Sequence, residues 1–551
     1  MTSSPDISRA ARDQRWLQQV DAALRGSDMA AAARLAEQAM RDGVEHASLL
    51  NLVASARYGE GRVEEAVALL KRARTLAPRD PHVLNSLALC LRSQGRFEAA
   101  VEAYDAAVRA EPRYAPAHYN KGAMLEDLND LAGARGCYEH AIALSPDYAE
   151  PLASLAWLSA QSGDAAQARA YGLRAAVLSP QLAVARMALA LADLHERRFD
   201  VAGPALMALL QDPSLGAMNR AIVLGLIGDL EDGEGKPAEA FAAYQACNAE
   251  MRRIYAPQFE SPGVPSALAR AERLAAYFEQ APAEPWREAP PARPRAADPA
   301  AHVFLVGFPR SGTTLLENML AAHPRIVSLE EKDCLAPAIE DYLTAVDGPD
   351  RLAGISSGEA MRRREDYWKA VRSFGVEPRG RVFIDKMPLA SVYLPLISKL
   401  FPGAKILFAQ RDPRDVVLSC FRRRFGMNAS MFQLLTLEGA ARHYAAVMTL
   451  ADHCRRLLPL DLQVVRYERL VEDFDGVAGE ACRFLGLDWD EGMRDFAAKA
   501  RTRSIDTPSA AQVARGLNRE GIGTWRRYRA QLEPVLPMLQ PWVETFGYPA
   551  E

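Results

Sequence analysis

The sequence predicts two folds in one chain, an N-terminal all-α solenoid and a C-terminal α/β domain with a parallel sheet. A repeat of 34 residues in the first half predicts the solenoid. Short apolar runs that alternate with helix-type patterns in the second half predict the parallel sheet. A proline-rich stretch, APAEPWREAPPARPRAADPA, lies between the two patterns. We therefore predict a solenoid over residues 1–256, a helical and proline-rich linker or strap over 257–300, and the α/β domain over 301–551.

The repeat consists of residues that recur at one period in several registers. Prolines that can follow a helix recur at Pro78, Pro112, Pro146 and Pro180. Small residues that allow two helices to cross closely recur at Ala66, Ala100, Ala134, Ala168 and Ala202, and at Ala73, Ala107, Ala141 and Ala175. Residues that tolerate the left-handed cap of a helix recur at Gly61, Gly95, Asn129 and Gly163. These registers predict a pair of antiparallel helices in each repeat.

This pattern resembles the tetratricopeptide repeat, whose period is about 34 residues. It covers roughly residues 47–210, with a further degenerate unit expected through Met251 and a capping helix before the array. The resemblance implies a concave groove that binds a peptide, a protein partner or a second subunit in a homodimer. The alternative is that the repeats serve only as a scaffold for the other half.

Composition and charge restrict the class of protein. Hydrophobic residues make up 49% of the 551 residues and charged residues 25%, which is typical of a globular chain. The formal net charge of −4 gives no indication of a nucleic-acid or anionic membrane partner. The seven cysteines have no metal-binding spacing, and we find no apolar run long enough to cross a membrane. We expect a soluble, cytoplasmic protein with reduced thiols and no metal site.

The most informative segment of the second half is AHVFLVGFPRSGTTLLENMLAAHP. Residues 302–306 predict a buried strand, residues 307–312 a loop, and Thr313 the start of a helix. Backbone N–H groups of such a loop, together with the helix dipole, form a cradle for an anion. Arg310 adds a planar donor group suited to phosphate or sulfate. The position that holds lysine in the GxxxxGK[ST] loop of ATP-binding proteins is Thr313 here, which argues against an ordinary kinase.

The run FPRSGTTLLENMLAAHP resembles the 5′-phosphosulfate loop of sulfotransferases, particularly the tyrosylprotein sulfotransferase family and bacterial proteins that fuse tetratricopeptide repeats to such a domain. The resemblance covers roughly residues 301–548. It implies a P-loop-like domain that transfers a sulfuryl group from 3′-phosphoadenosine-5′-phosphosulfate (PAPS) to an acceptor hydroxyl, with release of PAP. It also implies that five loop residues bind the 5′-phosphosulfate: Arg310, Ser311, Gly312, Thr313 and Thr314.

A second segment, KILFAQRDPRDVVLSCFRRRF, predicts a strand followed by a helix that Pro413 can open. The resemblance implies that Arg411 and Ser419 bind the 3′-phosphate of PAPS, with Arg423 as a weaker third candidate. The alternative for Arg411 is a surface salt bridge with an adjacent aspartate. Because one nucleotide with two anionic ends needs two cradles, this second site supports the first.

The resemblance also assigns the catalytic roles. Glu331, the second glutamate of SLEEKDC, is the implied general base on the acceptor hydroxyl, and Glu330 is the neighbouring alternative. Lys386 in FIDKMP is the implied contact to the bridging oxygen of the leaving phosphate, where Arg310 also stabilises charge. Tyr467 lines the nucleotide site or, alternatively, belongs to the core.

The segment PSAAQVARGLNREGIGTWRRY resembles the part of the family that closes over the nucleotide, but it departs from the pattern. A nucleotide-contacting serine is replaced by Ala510, and the basic residue expected before the tryptophan is Thr524. Arg515, Arg519 and Arg526 are the candidates for the missing contacts, and the sequence does not choose among them.

The leading interpretation is therefore a PAPS-dependent sulfotransferase whose repeats recruit a substrate or partner. A peptide or protein tyrosine is the favoured acceptor, while a small molecule or a glycan remains open. One alternative is a P-loop phosphotransferase that uses ATP. A second alternative is a repeat-based binding protein with a degenerate enzyme domain.

Overall fold

A computed structural model describes residues 4–263, 265–290, 298–502 and 516–551. The chain divides into two compact units, Met1–Ala192 and Asp193–Glu551. Over its described residues the first unit consists of helices, and the second combines helices with a parallel sheet. This architecture confirms the predicted order of an all-α repeat region followed by an α/β domain.

Consecutive helices of the first unit are joined by short turns and pack against each other. The helices are α1 (Ser4–Arg25), α2 (Met29–Arg41), α3 (Ala47–Gly59), α4 (Val63–Leu76), α5 (Pro81–Ser93), α6 (Phe97–Ala110), α7 (Ala115–Asp127), α8 (Leu131–Leu144), α9 (Ala149–Gln161), α10 (Ala165–Leu178) and α11 (Ala183–His195), the last of which ends in the second unit.

The residues of the 34-residue registers occupy the positions that the sequence predicts. The small residues of both alanine registers are completely buried. Gly122 belongs to a further register of small residues, and a Cβ atom there would lie 2.6 Å from Cε1 of Tyr138. The predicted cap residues have left-handed φ values between +57° and +85°: Gly61, Gly95, Asn129 and Gly163. Steric fit at the crossings and backbone conformation at the caps therefore explain the period.

The second unit begins with helices that the repeat pattern assigns to the solenoid or the linker. They are α12 (Phe199–Leu210), α13 (Ala217–Gly233), α14 (Pro237–Phe259), α15 (Ala267–Gln280) and α16 (Glu284–Arg287). Tyr244 of α14 and Phe278 of α15 are buried in the same apolar cluster as Phe304 of the sheet. The helices from α12 to α16 therefore belong to the same compact unit as the α/β part, and the compact units divide earlier than the predicted domain boundaries.

The proline-rich segment packs on the α/β part over its described residues 281–290. Trp286 is completely buried, with its ring 4.9 Å from that of Phe278. Lys399 donates a hydrogen bond of 2.5 Å to the carbonyl oxygen of Glu288. The short helix α16 forms within this segment, because proline is tolerated in the first turn of a helix, where its missing N–H has no helical acceptor. This part of the segment is a strap.

Within the described residues, five parallel strands form one sheet in the order β2-β3-β1-β4-β5. They are β1 (Ala301–Val306), β2 (Ile326–Glu330), β3 (Val382–Lys386), β4 (Lys405–Gln410) and β5 (Asp461–Arg466). The sequence predicts strands near residues 302–306, 381–385, 405–409 and 462–466, and so all of them except β2, whose short run IVSLE carries a weak apolar pattern. Since the strands are parallel, their carboxyl ends meet at one edge of the sheet.

Apolar side chains cover both faces of the sheet. Phe304, Val306 and Phe383 belong to one cluster, and Val303 and Leu305 belong to another.

The remaining helices are α17 (Thr313–Ala321), α18 (Ala336–Ile339), α19 (Gly348–Ala353), α20 (Ser357–Ser373), α21 (Leu394–Leu400), α22 (Pro413–Arg422), α23 (Ala429–Gln433), α24 (Leu437–Leu457), α25 (Tyr467–Glu472), α26 (Phe474–Leu485), α27 (Phe496–Thr502), α28 (Arg529–Leu532) and α29 (Leu536–Thr545). A π-helix spans Glu340–Thr344, and 3₁₀ helices span Pro388–Tyr393, Glu491–Asp495 and Thr524–Tyr528.

Two fragments test where the α/β unit begins. A fragment of residues 193–551 should fold cooperatively, whereas a fragment of residues 301–551 should not. The shorter fragment loses Trp286 and Phe278, and losing one large buried side chain typically costs about 3–5 kcal/mol. Urea unfolding followed by circular dichroism measures the difference. Cooperative unfolding of the shorter fragment at the same urea midpoint would contradict this boundary.

Candidate active site

The loop over residues 307–312 connects β1 to α17 and has the tight geometry expected of an anion cradle. Gly312 caps α17 with φ +99°, and a Cβ atom at this position would lie 2.7 Å from Cδ2 of Tyr467. Arg310 also has a left-handed backbone, with φ +69°. Ser311, Thr313 and Thr314 are nearly completely buried around the loop. Glycine is therefore required at position 312, where the loop contacts the ring of Tyr467.

Arginine side chains from the first loop and from the β4–α22 segment converge. Nε of Arg310 donates to Oγ of Ser419 over 3.0 Å, and Nη1 of Arg411 donates to the carbonyl oxygen of Arg310 over 2.8 Å. Burial, with further contributions from Arg423 and Arg411, lowers the pKa of Arg310 to about 9. Burial also lowers the pKa of Arg423. The predicted residues thus lie together, and their charges favour binding of an anion.

Tyr467 lies in the site. It follows β5 directly, and the guanidinium of Arg411 lies 4.8 Å from the centre of its ring. Nε of Arg411 is buried and has no hydrogen-bond partner among the described residues. A buried donor without an acceptor is costly, so this atom suits an oxygen of a bound anion. The loop glycine and this unpaired donor both fit a phosphate-type group.

The catalytic candidates from β2 and β3 also meet. Nζ of Lys386 lies 2.7 Å from Oε1 of Glu331, 3.0 Å from Oε1 of Glu330 and 3.5 Å from Oε2 of Glu317. Burial alone would lower the pKa of the Lys386 ammonium, but the carboxylates of Glu317, Glu331 and Glu330 raise it above its ordinary value. Lys386 is completely buried, and these carboxylates keep its ammonium group protonated at neutral pH.

The two glutamates differ in their access to the cavity. The side chain of Glu331 is 37% exposed, and it lines the cavity, whereas the side chain of Glu330 is 19% exposed. Glu331 has a left-handed φ of +47°, and its N–H donates to the carbonyl oxygen of Lys386 over 2.8 Å. This turn directs the chain out of β2, which favours Glu331 over Glu330 as the residue that meets a substrate.

Sequence reasoning missed Glu317, which lies on α17 and pairs with Lys386. The signal for it was a single acidic residue within the apolar run LLENML. Glu317 is only 4% exposed, and buried carboxylates in proteins are normally paired with a cation. Glu317 therefore adds negative charge behind Lys386, opposite in sign to the arginine cluster at the loop.

A cavity of about 1230 Å³ connects the predicted residues. Its lining includes the following site residues: Arg310, Gly312, Thr313, Thr314, Glu331, Arg411, Ser419, Arg423 and Tyr467. Lys386 lies behind this surface and contacts the cavity through its ion pair with Glu331. The phosphate-type cradle and the carboxylate of Glu331 thus open into the same space.

Residues 516–528 are the described part of PSAAQVARGLNREGIGTWRRY, and we call them the closing segment. Residues 516 and 518–524 of this segment line one wall of the cavity. Arg519 lines the cavity, whereas Arg526 donates to the carbonyl oxygen of Glu551 over 3.3 Å. Oγ1 of Thr524 donates to the carbonyl oxygen of Glu520 over 2.8 Å. Ala510 and Arg515 lie outside the described residues. Of the two arginines that can be compared, Arg519 is the one placed to contact a ligand.

Two features are absent from the described parts of the chain. Over those parts, no group of histidine, cysteine, aspartate and glutamate side chains could hold a metal ion. Over the same residues, no helix is both long enough and apolar enough to cross a membrane.

Comparison with known proteins identifies both parts of the chain. Residues 302–491 match the model of the sulfotransferase family. Residues 17–81 and 85–149 match the model of the tetratricopeptide repeat. The chain therefore combines tetratricopeptide repeats with a sulfotransferase domain, which confirms the resemblance seen in the sequence.

Individual relatives are distant. An uncharacterized protein of Aquifex aeolicus is 28% identical over 255 residues, which cover 43% of this chain and 32% of that protein. Protein-tyrosine sulfotransferase A of Caenorhabditis elegans is 26% identical over 254 residues, which cover 43% of this chain and 66% of that protein. The chain thus spans between a third and two thirds of these relatives. A solved tetratricopeptide repeat protein of Parabacteroides merdae is 14% identical, covers 44% of this chain and 93% of its own length, and gives a TM-score of 0.33.

Replacing Gly312 tests the geometry of the loop. Gly312→Ala should lower the free energy of unfolding by at least about 1–2 kcal/mol, because alanine resists the left-handed backbone and its Cβ would meet Tyr467. The control is Gly358→Ala, where φ is not left-handed and no atom lies within 4 Å of the added Cβ. Urea unfolding measures both variants, and equal stability of the two would contradict the loop geometry.

Proposed function

We propose that this protein transfers a sulfuryl group from PAPS to an acceptor hydroxyl, with a peptide or protein tyrosine as the favoured acceptor. The observation that carries the proposal is the single cavity shared by the arginine cluster and the carboxylate of Glu331. The sulfotransferase domain supports the reaction class. The names of distant relatives such as protein-tyrosine sulfotransferase A support the choice of tyrosine.

In this proposal the donor nucleotide is held at both of its anionic ends. The loop residues hold the 5′-phosphosulfate through backbone N–H groups and through Arg310. Arg411 and Ser419, with Arg423 near them, hold the 3′-phosphate. The ring of Tyr467 packs against the guanidinium of Arg411 and stabilises its position. A bound anion compensates the mutual repulsion of Arg310, Arg411 and Arg423.

The proposed reaction is an in-line transfer. The acceptor oxygen forms a bond to sulfur, the bond between sulfur and the bridging oxygen breaks, and PAP carries away the electron pair. Glu331 takes the proton of the acceptor hydroxyl. Lys386 and Arg310 stabilise the negative charge that develops on the bridging oxygen. A phenol, with a pKa of about 10, needs less help from the base than an alkyl alcohol does.

The carboxylates around Lys386 are compatible with this division of roles. Because Glu317 and Glu330 also contact Lys386, the ammonium keeps counter-ions when Glu331 turns toward the acceptor. Glu331 can therefore accept a proton without leaving Lys386 buried and unpaired. The proposed base and the lysine are adjacent, and Glu317 and Glu330 keep the lysine paired.

The remaining roles are also proposals. The tetratricopeptide repeats would bind a peptide or protein that carries the acceptor, or a second subunit in a homodimer. A cytoplasmic location and a reaction without a metal ion complete the proposal. An ATP-dependent phosphotransferase is a weaker candidate, since Thr313 stands where such an enzyme has its phosphate-binding lysine.

Donor binding should depend on Arg411. Arg411→Ala should weaken PAP binding about ten- to a hundredfold, because hydrogen bonds to charged groups contribute about 1.5–3 kcal/mol. Isothermal titration calorimetry in the presence of EDTA measures the affinity. Arg442→Ala, at an exposed ion pair with Glu272, is the matched control and should bind normally. Unchanged affinity for the Arg411 variant, or a strict need for Mg²⁺, would count against the proposed donor site.

The proposed base is tested by a pair of neighbouring variants. Glu331→Gln should retain PAP binding but lose at least about a hundredfold in turnover, because a positioned base contributes about 10²–10⁴-fold. Glu330→Gln should keep most of its activity. Sulfate transfer to a tyrosine-containing peptide, followed with radiolabelled PAPS, measures both. An inactive Glu330 variant beside an active Glu331 variant would place the base one residue earlier.

A further inference from the structure

Asp232, at the end of α13, links two parts of the cavity wall that are far apart in sequence. Its Oδ1 accepts hydrogen bonds from the hydroxyl of Tyr528 over 2.6 Å and from Nη2 of Arg527 over 2.8 Å. Its Oδ2 accepts a hydrogen bond from Nη2 of Arg422. Tyr528 and Arg527 belong to the closing segment, whereas Arg422 ends the helix that carries Ser419. The carboxylate of Asp232 therefore contacts both the closing segment and the end of α22.

The contacts around Asp232 are buried and specific. Its side chain is 16% exposed and that of Arg422 is 19% exposed. The guanidinium of Arg422 lies 5.3 Å from the ring centre of Tyr244 and 5.1 Å from that of Tyr528. Burial alone would lower the pKa of Arg422, but Tyr244, Asp232 and Tyr528 raise it above its ordinary value. An ion pair with so little exposure has a defined geometry, unlike an ordinary surface pair.

A second aspartate on α13 holds the next arginine of the same run. Oδ2 of Asp229 accepts from Nη2 of Arg424 over 2.8 Å, and Oδ1 accepts from the hydroxyl of Tyr244 over 2.9 Å. Gly225 makes room for this side chain, since a Cβ atom there would lie 2.3 Å from Nη1 of Arg424. The arginines on both sides of Arg423 are thus fixed to α13, while Arg423 lines the cavity.

The closing segment has its other anchors on the β4–α22 segment. The carboxylate of Asp415 accepts from the backbone N–H groups of Gly523 over 2.7 Å and Trp525 over 2.8 Å. Nη2 of Arg411 donates to the carbonyl oxygen of Gly521. The closing segment is therefore hydrogen-bonded to α22 through Asp415. It is also hydrogen-bonded to α13 through Asp232.

We infer that Asp232 is a positioning residue of the donor site: it holds the closing segment over residues 516–528 against the end of α22 and so pre-organises the wall that covers the nucleotide. This inference rests on the proposed function for the identity of the ligand. The contacts themselves do not depend on it. Removing the carboxylate would leave Arg422 buried with one acceptor fewer and would release Arg527 and Tyr528 together.

Hydrogen–deuterium exchange of the ligand-free protein tests the link without any ligand. Asp232→Asn should accelerate exchange of residues 516–528 at least about tenfold, because the segment loses two of its anchors. Asp232→Glu should recover most of the protection. The matched control is Asp229→Asn, one turn earlier on α13, whose carboxylate accepts from Arg424 and Tyr244 and which should leave the exchange of the closing segment unchanged. Unchanged exchange in a folded Asp232→Asn protein would overturn the inference.

Donor kinetics then separate positioning from general stability. Asp232→Asn should raise the Kd for PAP and the KM for PAPS about tenfold, with kcat at saturating PAPS within about threefold of wild type. A purely structural defect would instead lower the amount of active protein, and kcat with it. Equal PAP affinity for wild type and Asp232→Asn would overturn the inference. If wild type itself does not bind PAP, the proposed function fails, while the exchange experiment still decides the role of Asp232.

A milder variant covers the case in which Asp232→Asn does not fold. Tyr528→Phe removes the hydroxyl that donates to Asp232 and keeps the buried ring. It should accelerate exchange of residues 516–528 by about threefold, since one neutral hydrogen bond typically contributes about 0.5–1.5 kcal/mol. Tyr104→Phe is the matched control, because the Tyr104 hydroxyl is buried without a hydrogen-bond partner among the described residues. No difference between these two variants would overturn the inference.

Discussion

The constraint on which the site depends is that parallel strands end at one edge of their sheet. Every strand in the described part of the chain leads directly to a candidate site residue. In chain order from β1 to β5, these residues are Arg310, Glu331, Lys386, Arg411 and Tyr467. Residues as far apart in sequence as Arg310 and Tyr467 therefore line the same cavity. The helices on the two faces bury the sheet, and residues that follow its carboxyl ends line the cavity.

Charge is distributed unevenly along that edge. At β1 and β4, buried arginines lie close enough that Arg423 and Arg411 help burial to lower the pKa of Arg310. At β3, carboxylates surround Lys386 and raise its pKa. The first region attracts an anion, and the second holds a protonated lysine beside a carboxylate that can accept a proton. The arginine cluster and the carboxylate of Glu331 therefore face the same cavity with opposite charges.

The sequence was sufficient wherever a local pattern determines the structure. The repeat registers follow from helix crossings and caps, and the loop around Gly312 follows from backbone conformation. It was not sufficient for β2, which is short, or for Glu317, whose partner Lys386 is distant in sequence. The roles of α13 and α14 were also hidden, because the repeat pattern continues into them while their contacts form with residues 421–435 and 527–528. A run of three arginines such as 422–424 is by itself typical of a solvated helix face, yet its first and last members are paired with α13.

The length of α14 explains why the hairpin of α13 and α14 belongs to the second compact unit. It has 23 residues, whereas α4, α6, α8 and α10 each have 14. Its added turns carry Met251, which joins a cluster with Phe432, and Asn248 nearby donates to the carbonyl oxygen of Phe421 over 2.8 Å. These contacts fix the chain on both sides of the arginine run, so the repeat-like hairpin determines where Arg423 lies. A change in this hairpin that an ordinary repeat would tolerate would therefore alter the proposed donor site.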